Sequence, residues 1–364
     1  MSDLLGVRAP VRRVKLLLAC CGLAIGATAQ ILADPQVFGR PLVRPILAGA
    51  DGQWPDLIGR IGPYGGLATF DDIQRMTSDR FDLAVVAGIA RDVSMAMRTA
   101  GAKYIDTRLW NRLYDVCRRQ YEFESSTGQP QACTLSKSDS DAIAAQAASD
   151  LRGVESDPAL AGYWILDDNP HGDVSGMLAT LRNLVRDSNA RSGFSRPTIC
   201  GVGGSLDHKS SVGAANFAPD RQYMVDALRN VSPAGCDLIA PYFYGAASVD
   251  DPSLVDWSMG NLLPYFLQAA KARGYDVPSA ALIPIAHAFS FHTIGTASYY
   301  VKPRADDIVA QMHAYCDAGA KSMLFFTWRS QDAEFSYAND AALRDGVMRG
   351  SADCKKLWRA AQRP

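Results

Sequence analysis

The chain has 364 residues, 48% of them hydrophobic and 21% charged, and its 37 basic residues nearly cancel its 38 acidic ones, leaving a formal net charge of −1. That balance suits a globular protein with a sizeable core and lacks the basic excess of a nucleic-acid-binding surface. Only Glu122, Glu124, Glu155 and Glu334 are glutamates, so carboxylate chemistry falls mainly to aspartates.

The chain begins as an export signal. Arg8, Arg12, Arg13 and Lys15 precede the apolar run LLLACCGLAIGATA, which ends in the small-x-small pattern Ala27-Thr28-Ala29. We expect residues 1–29 to be removed and the mature chain to start near Gln30, in the periplasm or outside the cell. The run is short of the roughly 20 apolar residues that span a bilayer, so no membrane association is expected after cleavage. An uncleaved anchor, or a lipoprotein at Cys20, are the alternatives. Residues 30–55 carry four prolines and no clear period, and read as an N-terminal extension.

From Asp56 onward the pattern is regular. Strand one, DLIGRI, meets a Gly/Pro turn and a helix opened by Asp71 and Asp72; strand two, Leu83 to Ala90, precedes a helix closed by Gly101. Strand three, AKYIDTRLW, carries Asp106 and Arg108. The stretch from Asn111 to Ser138 is too polar for core and long for a connection, and reads as a lid or substrate-binding loop. Next come a helix over 139–154, strand four (GYWILDD), a helix from Ser175, strand five (PTICGVGG), a helix from Arg221 and strand six (CDLIAPYFYG). A helix around Leu262 to Arg273, strand seven (ALIPIAHAF), a helix from Asp306, strand eight (SMLFFTWRS) and a final helix through Leu357 complete the series.

Eight near-continuous apolar strands, each followed by a helix, call for parallel strands covered on both faces. Over residues 56–364 this is expected to be an α/β fold, a (β/α)8 TIM barrel with an N-terminal extension and an enlarged loop after strand three. An open doubly wound sheet is the alternative, but no GxGxxG turn follows the first strand. The mature chain keeps six cysteines, and an even number in an exported protein favours disulfides. Cys117 with Cys133 is the first expected pair and Cys316 with Cys354 the second, while Cys200 and Cys236 read equally well as buried thiols. No CxxC spacing suggests structural zinc.

In such a barrel the strand C-terminal ends line the mouth. There they would present Tyr64 from strand one, Asp106 and Arg108 from strand three, and Asp167, Asp168, Asn169 and His171 from strand four. Strand five adds Asp207 and His208, strand six Tyr242 and Tyr244, strand seven His287 and His292, and strand eight Trp328, Arg329, Asp332 and Glu334. Aromatic rings suit pyranose faces, and carboxylates and Arg suit hydroxyls. The expected ligand is a polysaccharide or oligosaccharide, with no cofactor; the oligomeric state is not legible.

Strand four (GYWILDDNP), strand six (DLIAPYFYG) and strand eight (SMLFFTWRS) resemble the glycoside hydrolase (β/α)8 superfamily. The resemblance implies an acid at the end of strand four, sugar-contacting tyrosines on strand six and a Trp at the end of strand eight. The chain departs from it in having Asp167-Asp168-Asn169-Pro170 where a Glu precedes the Pro, and His287 where retaining members have a nucleophilic Glu. The DxxDxDxE run of chitinase-like barrels is also missing. Asp168 is therefore the expected acid, with Asp167 close behind, and Asp106, Asp332 or Glu334 the expected second carboxylate. Short side chains on non-neighbouring strands favour the wider, inverting separation. The alternatives are a barrel that binds carbohydrate without cleaving it, and a hydrolase whose metal is held by His171, His208, His287 and Asp167.

Overall fold

Short apolar runs with β-branched and aromatic residues can bury both faces when helices cover one and a closed barrel interior takes the other. The chain does this. The computed structural model describes residues 54–67, 69–86, 91–124, 133–167, 172–203, 224–244, 253–277, 281–292, 299–300, 302–329 and 333–361. The expected signal segment and nearly all of the expected N-terminal extension lie outside them, as do Asp168, His171, Asp207, His208 and Asp332.

Eight parallel strands form the barrel: β1 (Ile61–Pro63), β2 (Leu83–Val86), β3 (Lys103–Asp106), β4 (Leu160–Leu166), β5 (Thr198–Gly203), β6 (Leu238–Tyr242), β7 (Ile285–His287) and β10 (Met323–Phe326). Their order is β1-β10-β7-β6-β5-β4-β3-β2. The ring closes between the two ends of that order, where the Asp82 amide donates to the Ile61 carbonyl (3.2 Å), the Gly65 amide donates to Val85 (3.2 Å) and Tyr64 bridges to Val85.

Alternation along the strands sorts their side chains into two buried clusters. Leu83, Val85, Ile105, Ala161, Trp164, Ile199, Ala240 and Leu324 belong to the barrel interior, which Trp54 and Leu57 also enter just before β1. Thus Asp56 to Arg60, read from sequence as the start of strand one, is a turn, and the strand proper begins at Ile61. Tyr104, Tyr163, Ile165, Val202, Ile239, Phe243 and Phe325 face the helices. Each fully buried aliphatic or Phe side chain contributes about 1.5–3 kcal/mol relative to exposure, so the two layers supply the main driving force.

The covering helices are α1 (Phe70–Ser78), α2 (Arg91–Thr99), α3 (Arg108–Glu124), α4 (Lys137–Arg152), α5 (Ser175–Ser192), α6 (Ser253–Ala272), α7 (Ala305–Asp317) and α8 (Ala341–Ala361). Thr69 and Asp72 cap α1 reciprocally, and Ser136 and Asp139 do the same for α4. Two sequence readings are corrected at α3. Strand three ends at Asp106, with Arg108 and Trp110 already helical, and the supposed loop from Asn111 is helix as far as Glu124. Leu109, Leu113 and Cys117 recur every four residues and are buried, a helical period that the intervening charges obscured.

Three disulfides staple the described region: Cys117–Cys133, Cys316–Cys354 and Cys200–Cys236. The first two are the expected pairs, and the third pairs two cysteines that had read equally well as thiols. A feature not foreseen is a three-stranded antiparallel sheet of β8 (Phe289–His292), β9 (Tyr299–Tyr300) and β11 (Ala333–Ser336), in the order β11-β8-β9. It joins the segment leaving β7 to the segment leaving β10. Among the described residues no helix is long and apolar enough to cross a membrane.

Candidate functional site at the barrel mouth

At the C-terminal ends of the strands the interior cluster gives way to aromatic rings. Tyr64, just after β1, lies 5.0 Å from the Trp164 ring of β4 and 5.7 Å from the Phe326 ring of β10. Tyr242 at the end of β6 stacks on Tyr244 at 4.7 Å, and Tyr244 in turn stacks on Phe326 at 5.7 Å. Behind them His287 and Phe289 meet edge-on at 4.6 Å. The strands thus converge on an aromatic floor, with Tyr64, Tyr244 and Phe326 partly exposed and Trp164 buried beneath.

Asp167 stands beside this floor. A Cβ placed on Gly201 of β5 would lie 2.6 Å from Asp167 Oδ1 and 2.7 Å from Trp164 Cζ2, so glycine is what admits both groups to the inner wall. The indole N–H of Trp164 is buried and has no hydrogen-bond partner among the described residues. Such an orphan donor costs about 1–3 kcal/mol and is rare in a core.

Asp106, expected at the mouth, faces the other way. It follows Ile105 of the interior cluster, shares the outer face with Tyr104 and is 1% exposed. Its carboxylate accepts the Arg108 backbone N–H at 2.8 Å, Arg108 Nε at 2.9 and 3.1 Å, and Arg108 Nη2 at 2.5 Å. Burial works against the Arg108 charge, but the bonds to Asp106 outweigh it and hold the guanidinium above its ordinary pKa. The pair is an ionic clasp at the start of α3, so its two members are withdrawn from the set of mouth residues.

Trp328 is likewise placed away from the sugar-binding position that the strand-eight resemblance implies. It is 0% exposed, stacks on Tyr337 at 4.8 Å, lies under the Arg75 guanidinium at 5.7 Å, and its Nε1 donates to Asp72 at 3.0 Å. Strand β10 ends at Phe326, and that ring takes the place at the floor. Arg329 donates to the same Asp72 oxygen at 3.0 Å while its side chain stays 57% exposed. Loop one is pressed against loop eight here: a Cβ on Gly66, which has φ +84°, would meet the Arg329 carbonyl oxygen at 2.0 Å.

His287 is at the end of β7, opposite Phe326 in register, and is 1% exposed. Its backbone N–H donates to Gln311 of α7 at 2.8 Å, and Gln311 donates onward to the Phe243 carbonyl at 3.2 Å, stitching β6 to β7. Burial lowers its pKa from 6.5 to about 4, so the imidazole is neutral at ordinary pH. Glu334 is exposed on β11. The pairing with β8 shifts register between Ala333 and Phe335, so Glu334 is the extra residue of a β-bulge, a device that re-aims side chains at sheet edges.

Tyr64, Asp167, Tyr242, Tyr244 and His287 are therefore brought together, whereas Asp106, Arg108 and Trp328 are not. Trp164, Phe326 and Phe289 line or underlie the floor and were missed, because inside apolar strands nothing marks which ring ends at the mouth. Among the described residues no three His, Cys, Asp or Glu side chains gather as a metal site would require.

No protein-family model matches the sequence, and no curated protein is similar to it in sequence. In three dimensions the chain is similar to a glycoside hydrolase-like protein, with a TM-score of 0.54 at 10% identity, covering 83% of this chain and 94% of that one. It is also similar to a GH42 β-galactosidase from G. stearothermophilus (TM-score 0.53, 12% identity, 85% of this chain and 58% of that one). A β-galactosidase from the psychrophilic Marinomonas ef1 gives a TM-score of 0.51 at 10% identity, over 83% of this chain and 60% of that one. At such identities the likeness is one of fold alone, a (β/α)8 barrel.

Proposed function

We propose that the protein is an exported carbohydrate-active barrel that cleaves a glycosidic bond in a polysaccharide or oligosaccharide, with the strand-four carboxylates as its acid. The observation that carries this reading is the convergence, at the strand C-terminal ends, of the Asp167 carboxylate and a floor of partly exposed rings. Ring faces match the C–H faces of a pyranose, while a carboxylate matches its hydroxyls. The three disulfides fit an oxidising, extracytoplasmic setting.

In the proposed reaction a protonated carboxyl of Asp167 or Asp168 gives its proton to the glycosidic oxygen as the C–O bond breaks. A second carboxylate takes a proton from the water whose oxygen attacks the anomeric carbon. With Asp106 bound to Arg108, Glu334 is our choice for that second group. It follows β10, which is four strands from β4 around an eight-strand ring and so faces it across the mouth. Opposed placement favours the wider separation that leaves room for water, and hence inversion. Buried, neutral His287 is assigned to shaping the floor beneath Tyr244.

A second reading is favoured by one observation: of Asp106 and Asp167, only Asp167 faces inward, and strand seven supplies His287 where a nucleophilic acid would stand. A barrel so equipped would bind carbohydrate and not cut it. The test is hydrolysis of a panel of bacterial and plant polysaccharides by the mature protein, beside Asp167→Asn, Asp168→Asn and Glu334→Gln, with a chelator control. Cleavage with inverted product, lost in Glu334→Gln and in one strand-four variant and spared by chelator, supports the reading. Binding without cleavage supports the second reading, and cleavage abolished by chelator would sink both in favour of a metal.

A further inference from the structure

The seam between β6 and β7 is thin. Whereas β5 and β6 share five consecutive register pairs, from Ile199 with Leu238 to Gly203 with Tyr242, β6 and β7 share one among the described residues, Tyr242 with Ile285, preceded by an isolated bridge of Ile239 with Leu282. The sequence explains the gap. Ile239 faces β7, its amide donating to the Ala281 carbonyl at 2.7 Å and its carbonyl accepting from Ile283 at 3.0 Å. Backbone groups of alternate residues point to the same neighbouring strand, so Pro241 and Phe243 face β7 as well, and Pro241 has no N–H to give.

With Tyr242 opposite Ile285, the next rung toward the mouth would run from the His287 N–H to the Phe243 carbonyl. The side-chain amide of Gln311 stands in that place. The His287 N–H donates to Gln311 Oε1 at 2.8 Å and Gln311 Nε2 donates to the Phe243 carbonyl at 3.2 Å, so two hydrogen bonds and an amide fill the span of one. A primary amide suits the position because it carries one acceptor and one donor group side by side, one for each strand. Gln311 is 2% exposed, and Tyr315, one turn further along α7, seats the helix by stacking on Phe243 at 6.3 Å.

Tyr244 uses the added width. Following directly on Phe243, it reaches over the seam, with its ring 5.8 Å from His287, edge-on to Phe289 at 5.0 Å and stacked on Phe326 at 5.7 Å. Closing the missing rung would draw Phe243 toward His287 and drive the Tyr244 ring into space that these rings already fill. Resting on the carbohydrate reading above, we infer that Gln311 is a positioning residue: its amide is a spacer that holds the ends of β6 and β7 apart and so fixes Tyr244 where the floor receives a sugar ring. Gln311 acts through Tyr244 and touches no ligand.

The test compares Gln311→Met, Gln311→Asn and Gln311→Ala in the mature protein. Met keeps the length without the hydrogen bonds, Asn keeps an amide one methylene short, and Ala removes the spacer. Each is studied by urea unfolding, by crystallography and by affinity electrophoresis in gels containing hydroxyethylcellulose, galactomannan, glycol chitin or polygalacturonate, with binding taken per folded molecule. All three should be less stable than the wild type. In Gln311→Ala the strand ends should close to a direct His287 N–H to Phe243 hydrogen bond of about 2.9 Å, displacing Tyr244. Binding to whichever polymer retards the wild type should fall about three- to tenfold in Gln311→Ala, as loss of one aromatic contact implies, less in Gln311→Asn and least in Gln311→Met. If Gln311→Ala does not fold, the difference between Asn and Met decides. Equal binding by all folded variants, a greater loss in Met than in Asn, or strand ends that stay apart in Gln311→Ala would overturn the inference and leave the carbohydrate reading standing. A wild type that binds no polymer would overturn that reading and, with it, the role of the spacer in sugar binding.

Discussion

Replacing Asp106 separates a structural carboxylate from a catalytic one. Its side chain is 2% exposed and that of its partner Arg108 23%, with four donor–acceptor contacts between them. Removing one member of a buried pair costs about 3–5 kcal/mol, because the other charge is left uncompensated. Arg108 keeps some access to water, which places Asp106→Ala near the lower end, at about 3 kcal/mol. Asp106→Asn still accepts the Arg108 amide at the start of α3 and should cost about 2 kcal/mol. In a domain of this size each kcal/mol lowers the melting temperature by roughly 2 °C, so drops of about 6 and 4 °C are expected by calorimetry or circular dichroism. Adding Arg108→Met to Asp106→Ala should recover part of the loss, since no buried charge then remains. Polysaccharide binding and any turnover per folded molecule should match the wild type. An Asp106→Asn protein that melts normally yet loses binding or turnover would refute the outward assignment of this residue.

Other outcomes follow from the same geometry. Burial holds the folded-state pKa of His287 at about 4, below its ordinary 6.5, so the unfolded chain binds the extra proton between those values. Its contribution is therefore present above about pH 6.5 and lost as the pH falls toward 4, up to about 3 kcal/mol, and His287→Gln should flatten denaturant-measured stability across that window. Trp328→Phe forfeits the bond to Asp72 and part of the stack on Tyr337; a loss of about 2–3 kcal/mol in urea unfolding, with unchanged sugar binding, is expected, and a binding defect without destabilisation would return Trp328 to the mouth. Changing Cys316 and Cys354 together to Ser opens a link with a sequence separation of 38 and should cost about 4 kcal/mol by thermal or urea unfolding.

The barrel was legible because fully buried parallel strands leave apolar runs that few other folds need, and because signals such as the acidic pair Asp71 and Asp72 and the closing Gly101 mark where helices begin and end. Asp167, Tyr64, Tyr242 and Tyr244 were picked out as polar or amphipathic residues at the ends of apolar runs, and the structure sets them at or beside the aromatic floor. What misled is a matter of register. Asp106 and Asp167 both terminate strands, yet Asp106 follows inward-facing Ile105 and so points out, whereas the register shift in β4 between Trp164 and Leu166 accompanies an Asp167 carboxylate set over Gly201. A one-residue change of phase reverses a side chain, and no composition signal reports it. Trp328 was misplaced on similar grounds, since strand β10 ends two residues before it. The small sheet of β8, β9 and β11 escaped notice because its strands are two to four residues long, and β11 is far in sequence from its partner β8.

That small sheet has a consequence for anyone who would re-engineer the mouth. Loops of a (β/α)8 barrel are commonly treated as interchangeable modules, each grafted alone onto a constant scaffold. Here the segments following β7 and β10 are hydrogen-bonded to each other through Phe291 with Ala333 and Ser290 with Phe335, and the second is also clamped to the first turn of α1 by Asp72. Swapping either segment by itself would leave a strand edge unpaired. The transplantable unit is the pair, and a donor barrel must supply both halves in matching register.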